Sequence, residues 1–367
     1  MASASAAQED SYLPFSQRPG WEDLQPIPQA DAPNALVPIA YTEHYRDAMD
    51  TFRALVAKGE KSPRAIEVTE QLIRMNPGHY SIWAYRAETL LATNADLSKE
   101  LDLMDELVKE HIKSYQVWQH RRTIVTSLQS STRELPFTTR ALSFDSKNYH
   151  TWAYRQWVLC HFFSSQTTPA PLSERKATSS AEEDGDEKKR KSVWQEELEY
   201  TRELLEKDVR NNSAWNHRFF VVFESGEGGG EEKEVVEREI RYTKTLLSLA
   251  PNNPSAWNYL RGILSHSHLP LSSLTPFVTP LALNTPASMP ADEPPVSDKA
   301  ELPAVGAVEW LADAGAEEAE KEGTEGGREK GVEAAALFRS LIQFDPIRTN
   351  YWQFRADEVL QKVGIAV

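Results

Sequence analysis

A tryptophan followed three residues later by an arginine recurs along this chain, and no other feature constrains the fold as strongly. The pairs are Trp83 with Arg86, Trp118 with Arg121, Trp152 with Arg155, Trp215 with Arg218, and Trp352 with Arg355. A sixth copy at Trp257 has its arginine four residues later, at Arg261. The first three tryptophans are 35 and 34 residues apart, a period typical of one helix-turn-helix unit per repeat. The sequence therefore predicts stacked helical hairpins.

Each repeat reads as a first helix, a short turn and a second helix that carries the tryptophan and the arginine. The turn Asn76-Pro77-Gly78 is an example, because proline ends one helix or starts the next. Thr42 to Lys58 has apolar residues at helical spacing and predicts a leading helix that stops at Gly59. Because stacked repeats bury one continuous core, we predict a single all-α domain over residues 41–367, a right-handed superhelix of TPR-like hairpins.

The beginning of the chain differs in composition from the repeats. Residues 1–20 predict a disordered tail. Residues 21–40 are proline-rich, so they cannot form a helix, but Trp21, Leu24, Ile27, Leu36 and Val37 supply more apolar surface than a solvated linker needs. We therefore predict an extended arm over residues 21–40.

Three stretches interrupt the period and predict surface insertions: residues 164–192, 224–232 and 268–331. They are rich in Ser, Pro, Gly and charged residues, and none resembles a packed element. Insertions of this kind are tolerated because each doubling of loop length adds only about 0.6 kcal/mol of closure entropy. We expect the longest, His268 to Gly331, to be disordered.

Charge and cysteine content exclude several classes of function. The net charge is −15, but Glu224 to Glu237 contains six acids against one base, and Leu269 to Glu333 contains thirteen against four. The repeats themselves are thus nearly neutral, without the basic surface that a nucleic-acid-binding protein needs. Cys160 is the only cysteine, which argues against a disulfide framework and suggests a cytoplasmic protein. We expect neither a signal peptide nor a membrane span.

The residues just before the tryptophans are the candidate functional positions. Lys113, Lys147 and Arg210 precede a tryptophan by five residues, Tyr80, Tyr115 and Tyr149 by three, and Gln116 and His150 by two. In stacked hairpins these positions line one edge, beside helix N-termini that favour a phosphate or a carboxylate. The alternative is that they are ordinary solvated lysines and interface tyrosines, which the spacing alone slightly favours.

Other chemical patterns are weak. Asp102 and Asp105 could suggest a magnesium-binding pair, but they read better as a solvated helix face. His266 and His268 lack a third ligand at metal spacing. The repeated Trp and Arg read as packing residues, with the arginine beside aromatic or carbonyl groups of the adjacent repeat. No self-contained active site is visible, and we expect this chain alone to bind no cofactor.

Five stretches resemble the alpha subunit shared by protein farnesyltransferase and protein geranylgeranyltransferase type I. They are Trp21 to Gln29, Tyr115 to Arg122, Lys147 to Trp152, Asp208 to Asn216 and Ser255 to Leu264. The likeness runs from about Trp21 to the C-terminus, apart from the three insertions. It implies a crescent of helical hairpins around a beta subunit that holds zinc. That enzyme transfers a prenyl group from prenyl diphosphate, with magnesium, to the cysteine thiol of a CaaX protein.

The resemblance also implies roles for individual residues. The family's diphosphate-contacting lysine matches Lys113, and its glutamine that binds the substrate's terminal carboxylate matches Gln116. Positions at the same active-site edge match the following residues: Tyr80, Tyr115, Lys147, Asn148, Tyr149 and His150. The chain departs from the family at Ser114, where the family usually has asparagine; we expect Lys113 to keep its place.

Two other functions stay open on sequence grounds. The alpha subunit of the geranylgeranyltransferase that acts on Rab proteins shares the Trp and Arg repeats. A non-catalytic helical-repeat scaffold that only binds proteins is the other alternative. The basic and tyrosine edge favours the first assignment over the scaffold. The Trp21 to Gln29 arm and the turn at Tyr115 and Gln116 favour it over the Rab enzyme subunit.

Overall fold

The computed structural model describes residues 12–30, 34, 36–164, 180–226, 232–283 and 289–367, and it divides into two compact units. Unit 1 runs to Phe162, and unit 2 runs from Phe163 to Val367. The regular structure of these residues consists of α-helices, 3₁₀ turns and one π turn, and no strand occurs among them. The all-α prediction is confirmed, whereas the prediction of a single continuous domain stays a prediction.

Unit 1 contains seven α-helices after a short 3₁₀ turn at Phe15–Gln17. They are α1 (Glu43–Lys58), α2 (Pro63–Met75), α3 (Tyr80–Ala92), α4 (Leu97–His111), α5 (Tyr115–Leu128), α6 (Glu134–Phe144) and α7 (Tyr149–Phe163). The hairpins are α2 with α3, α4 with α5, and α6 with α7, so a Trp and Arg pair lies on every second helix, as the sequence predicts. The leading helix α1 is capped by Thr42, whose side chain accepts a hydrogen bond from the Tyr45 N–H, and it ends at Gly59 with φ of 64°.

The N-terminal arm packs on α1 and α2. Trp21 and Leu24 are buried, the Ile27 N–H donates to the Asp50 carbonyl at 3.0 Å, and Arg64 pairs with Asp23. Residues 21–30 therefore lie against the helices, and an arm over the whole of residues 21–40 stays a prediction. Leu36 and Val37, which we expected to pack with it, are exposed.

The tail prediction is wrong for residues 12–20. Phe15 is buried, and its N–H donates to Asp47 on α1 at 2.9 Å. Arg18 lies over the Phe15 ring and pairs with Glu67 on α2. One aromatic side chain seated on α1 and α2 is enough to order a segment whose composition reads as solvated. The rest of the predicted tail, residues 1–11, lies outside the described residues.

Five of the six repeated tryptophans fix the turn that precedes them, whereas the sixth, Trp352, donates to the carboxylate of Asp345 at 3.1 Å. The indole N–H donates to the carbonyl six residues earlier: Trp83 to Pro77, Trp118 to Ile112, Trp152 to Ser146, Trp215 to Val209 and Trp257 to Pro251, at 2.7 to 3.0 Å. All five indoles are buried. The tryptophan therefore satisfies a carbonyl at the end of the first helix as well as filling the hairpin.

Four of the six repeated arginines are buried, namely Arg86, Arg121, Arg155 and Arg218, and three of these four bind a glutamate of the next repeat. The other two, Arg261 and Arg355, are half-buried and pair with Asp313. The bonded pairs are Arg86 with Glu100, Arg121 with Glu134 and Arg218 with Glu239. Each glutamate also binds a ring two positions after the following tryptophan: His120, Tyr154 and Tyr259. We call each set of three a buried relay. Aromatic and carbonyl contacts are present as expected, for example Arg121 over Phe137 and Arg86 to the Ile66 carbonyl, but the glutamates were missed.

The described residues of unit 2 form eight α-helices, a π-helical turn at Phe220–Glu224 and 3₁₀ turns at Leu271–Leu274 and Pro346–Arg348. The α-helices are α8 (Ser180–Lys207), α9 (Asn212–Phe219), α10 (Glu232–Leu249), α11 (Pro254–His266), α12 (Thr275–Ala282), α13 (Val305–Gly326), α14 (Arg328–Phe344) and α15 (Thr349–Lys362). Trp215, Trp257 and Trp352 lie on α9, α11 and α15. The last repeat is therefore α14 with α15.

The prediction that residues 268–331 form a disordered surface insertion is wrong. This stretch supplies α12 and α13, and its Phe277 and Trp310 are fully buried in the core of unit 2 beside Trp257. The composition predicted disorder because many of the buried residues of α13 are small: Ala307, Ala312 and Ala314 are examples. A glycine and alanine face lets helices approach closely without large apolar side chains.

The other two predicted insertions fall partly outside the described residues. In 164–192, residues 180–192 are the beginning of α8, so that part is helical rather than a loop; 165–179 lie outside the described residues. In 224–232, Glu224 ends the π turn and Glu232 begins α10, and residues 227–231 lie outside. Within the described part of the chain, no helix has the length and apolar character needed to cross a bilayer.

Candidate functional site

The first residues of α3, α5 and α7, with the turns before them, form an edge of unit 1 that we call the turn edge. Tyr80, Tyr115 and Tyr149 are the first residues of these helices and are 74%, 68% and 70% exposed. Each tyrosine lies one turn before a buried tryptophan, in the first turn of its helix, and is exposed although the tryptophan is buried. All eight predicted site residues belong to this edge.

Lys113 lies in the turn between α4 and α5. Its side chain is exposed, and no carboxylate pairs with it among the residues that the structure describes. Ser114 follows at the N-cap of α5 but makes no side-chain cap. Its hydroxyl donates instead to Oε1 of Gln116 at 3.3 Å. The Gln116 amide nitrogen is thereby left as a donor for a ligand.

The N-terminus of α5 is open, in contrast to those of α7, α9 and α11. In the latter three helices Asn148, Asn211 and Asn253 accept hydrogen bonds from first-turn N–H groups. An uncapped first turn leaves N–H donors and a partial positive charge of roughly half a unit facing outward. The serine in place of the family's asparagine therefore leaves an anion-binding helix end beside Lys113.

A groove of about 480 Å³ separates α3 from α5. Tyr80 and Tyr115 stand at its mouth with Gln116, and Trp83 and His120 lie deeper. His120 is buried and its Nε2 is 2.7 Å from Oε1 of Glu100. A buried relay thus forms the floor of the groove.

Glu100 is ionised despite its burial. Burial by itself raises the pKa of this carboxyl, but hydrogen bonds from His120 and Arg86, with the charge of Arg86, lower the pKa to about 2. Sequence reasoning missed Glu100, Glu134 and Glu239. The available signal was a glutamate 20 residues before the histidine or tyrosine that follows each tryptophan by two positions.

His150 joins α7 to α5 at the turn edge. The centre of its ring is 4.3 Å from that of Tyr115, in a perpendicular arrangement, and 5.6 Å from that of Tyr149. Partial burial lowers the pKa of His150, which favours a neutral imidazole. The structure therefore brings Tyr115, Tyr149 and His150 together as one aromatic cluster.

Lys147 and Asn148 differ in what they offer to a ligand. Lys147 is exposed and its backbone N–H donates to Asp145 at 3.3 Å. Asn148 is buried, and its side-chain oxygen accepts from both the N–H and the hydroxyl of Thr151. Asn148 is thus the cap of α7, and we keep it as a residue that positions the edge rather than as a group that contacts substrate.

The weaker motifs take structural roles. Asp102 pairs with Arg133, and Asp105 pairs with the buried Arg121, with Arg133 and with Arg140. His266 packs against the rings of Phe219 and Phe223. No group of three His, Cys, Asp or Glu residues within the described ranges is arranged to hold a metal ion.

The chain matches the family described as "Protein prenyltransferase alpha subunit repeat" over residues 62–93, 97–128, 131–162, 194–225 and 236–267. These segments coincide with the hairpins from α2 to α11. Trp352 lies beyond the last matched segment.

Relatives and one solved structure extend the comparison. The chain is 33% identical over 223 residues to the protein farnesyltransferase/geranylgeranyltransferase type-1 subunit alpha of Arabidopsis thaliana, and 30% identical over 219 residues to that of Dictyostelium discoideum. These alignments cover 61% and 60% of this chain but only 60% and 61% of the relatives. It is also similar to "Candida albicans protein geranylgeranyltransferase-I complexed with GGPP", with a TM-score of 0.71 and 26% identity, covering 92% of this chain and 98% of that one.

Proposed function

We propose that this chain, which matches the protein prenyltransferase alpha subunit repeat over five segments, is the alpha subunit of a heterodimeric CaaX protein prenyltransferase. In this proposal the enzyme acts in the cytoplasm with the beta subunit of protein farnesyltransferase, of geranylgeranyltransferase type I, or of both. It transfers a farnesyl or geranylgeranyl group from prenyl diphosphate to the cysteine thiol of a CaaX protein. The names of the relatives and of the structural neighbour support this assignment.

The observation that carries the proposal is Lys113 beside the open N-terminus of α5. In the transfer, a carbon–oxygen bond of the prenyl diphosphate breaks, a carbon–sulfur bond forms, and diphosphate leaves. Negative charge grows on the leaving group as its bond breaks. The exposed ammonium of Lys113 and the uncapped N–H groups of α5 suit that charge, and they interact with it more strongly in the transition state than in the ground state.

The other groups of the turn edge position the reactants. The Gln116 amide is suited to a substrate's terminal carboxylate, because Ser114 already occupies its oxygen. Tyr115, Tyr149 and His150 form an aromatic cluster at the starts of α5 and α7, and Tyr80 lines the groove with Tyr115. Lys147 lies one repeat along and acts at longer range. Asn148 holds the start of α7 in place.

In this proposal, neither zinc nor magnesium is held by side chains of this chain. Zinc in the beta subunit would favour the thiolate form of the substrate cysteine, and magnesium would accompany the diphosphate. Because the described residues bring no set of three metal ligands together, no step of the proposal uses a metal held by this chain.

Reconstitution tests the proposal. The chain is co-expressed with the beta subunit of protein farnesyltransferase, of geranylgeranyltransferase type I or of the Rab enzyme, and transfer to CaaX peptides or to Rab is measured with both prenyl diphosphates. We expect a stable heterodimer and turnover with one or both CaaX beta subunits, and none from the chain alone. Activity only with the Rab beta subunit and its escort protein would make the chain a Rab enzyme subunit. A chain that binds no beta subunit would be a scaffold.

A further inference from the structure

A second cavity lies at the turn edge, between the N-terminal arm, α1 and the turn before α3. Its volume is about 480 Å³. His79 lines this cavity and the next residue, Tyr80, lines the groove between α3 and α5. The two spaces therefore adjoin at the N-terminus of α3, although neither Lys113 nor Gln116 reaches the second one.

The charges of this cavity are not balanced. Arg53 donates to the Ile27 carbonyl at 2.8 Å and to the carboxylate of Asp50, so these two lining charges neutralise each other. Arg46 also lines the cavity, is exposed, and has no carboxylate partner in the described part of the chain. One guanidinium is thus available to an anionic group, and arginine binds a carboxylate through two parallel hydrogen bonds.

A second group in the cavity lacks a partner. Nδ1 of His79 is shielded from solvent and makes no hydrogen bond. A buried polar atom without a partner costs free energy. The rings of Tyr41 and Tyr45 stack at 5.2 Å beside Met49 and Pro28. The lining therefore suits a carboxylate next to a flat or apolar group.

The surroundings favour a protein rather than a small molecule. Ile39 lines the cavity and continues into Leu36 and Val37, which are 99% and 86% exposed. Tyr80, on the other side, is exposed as well. A run of exposed apolar residues beside a cavity is a feature of protein–protein contacts.

We propose that this cavity is an anchoring site for the partner subunit, and that it receives a beta-subunit segment with an Asp or Glu next to an aromatic, proline or aliphatic residue. The inference rests on the heterodimer of the proposed function. It assigns Arg46, His79 and the Tyr41 and Tyr45 pair to subunit recognition and not to the prenyl transfer itself. A carboxylate seated here would pair with Arg46 and cover His79.

The first test measures the affinity of the chain for the beta subunit that it binds. Arg46→Glu places a negative charge at the mouth of the cavity and removes no contact within this chain. We expect at least about tenfold weaker association, with an unchanged rate constant at saturating beta subunit. Lys99→Glu, which reverses another exposed lysine or arginine charge of unit 1 away from the edge, is the matched control and should leave the affinity unchanged.

The second test locates the occupant. A photo-crosslinking amino acid replaces Tyr41 in the cavity, or Phe144, an exposed aromatic on α6, as control. We expect an adduct from position 41 with a beta-subunit peptide that contains Asp or Glu, and none from position 144. Arg46→Glu with wild-type affinity, or an adduct at position 41 only with substrate peptide, overturns the inference. Absence of any heterodimer with the wild-type chain would instead overturn the proposed function.

Discussion

Arg121 and Glu134 lie in consecutive repeats, both fully buried, and their side chains are joined by two hydrogen bonds of 2.7 and 2.9 Å. Tyr154 donates a third bond to the same carboxylate at 2.7 Å. The glutamate is thus shared between the arginine of one hairpin and the tyrosine of its own. The contact between consecutive hairpins therefore depends on a buried ion pair as well as on apolar packing.

Removing one member of this pair should destabilise unit 1 strongly. Arg121→Ala leaves Glu134 buried without its main partner, and such a loss costs about 3–5 kcal/mol. Denaturant unfolding measures it. Arg133→Ala, which breaks a surface pair with Asp102, should cost less than about 1 kcal/mol. Equal losses of unfolding free energy for the two variants would show that the buried pair stabilises unit 1 no more than the surface pair does.

The relay at Glu100 predicts a dependence of stability on pH. Its pKa is about 2 in the folded chain, below the ordinary value of 4.5. Since the folded pKa is the lower one, the stabilisation is fully present above about pH 4.5 and is lost as the pH falls toward 2. The shift corresponds to about 3 kcal/mol.

Unfolding free energies between pH 6 and pH 3 measure this loss. Glu100→Gln should be less stable at pH 6 and should show a shallower decline with acid, because its amide does not titrate. A decline as steep as that of the wild-type chain would place the acid sensitivity in other carboxylates.

Gly306 should not tolerate a methyl group. A Cβ at this position would lie 2.4 Å from Cδ1 of Trp257, whose indole is already held by the Pro251 carbonyl. Gly306→Ala should therefore cost about 1–3 kcal/mol by overpacking, measured as a lower thermal midpoint. At Gly78 the nearest atom to an added Cβ is Oδ1 of Asn76, at 3.4 Å, so Gly78→Ala is the control and should have a small effect.

Replacing residues 268–331 with a Gly-Ser linker should unfold unit 2. The replacement removes α12, α13 and the buried Phe277 and Trp310. The stabilising free energy lost with these contacts far exceeds the free energy of unfolding of a typical domain. Limited proteolysis and thermal unfolding report the outcome. An equal-length Gly-Ser replacement of residues 294–299 alone, which are exposed or half-buried, should leave unit 2 folded. A folded protein after the full replacement would show that this stretch is dispensable.

Lys113→Ala in the assembled heterodimer should lower the single-turnover rate more than the affinity for prenyl diphosphate. Removing one donor to developing charge typically costs a factor of roughly 10² to 10³. We expect the lower end or less, because the partner's basic groups and the α5 N-terminus act on the same charge. Lys147→Ala is the control, with a smaller expected effect. An unchanged single-turnover rate for Lys113→Ala would leave this lysine as an ordinary solvated residue.

The sequence predicts the helical hairpins well because a buried tryptophan and arginine recur at a fixed spacing. It also places Lys113, Tyr115 and Gln116 at one edge, because equivalent positions of stacked hairpins align. Glu100, Glu134 and Glu239 were missed, since their burial depends on an arginine from another hairpin and their only signal was the fixed distance to the following ring. Helix α13 was missed for a different reason: apart from Val308 and Trp310, most of its buried residues are alanines, which carry little apolar signal in a sequence. Asn148 reads as a ligand group by alignment, yet its hydrogen bonds make it a helix cap.

The buried relays also restrict how this chain can change in length. In many repeat proteins a whole unit can be deleted or duplicated, because neighbours meet through interchangeable apolar faces. Here each relay takes its arginine from one repeat and its glutamate and ring from the next. If one hairpin were excised, the arginine of the preceding repeat would have to pair with the glutamate and ring of a different repeat. Those groups would have to be equally buried and oppositely charged. The copy number of the repeats is therefore expected to be held constant by electrostatics, while variation in length is confined to the connections between hairpins.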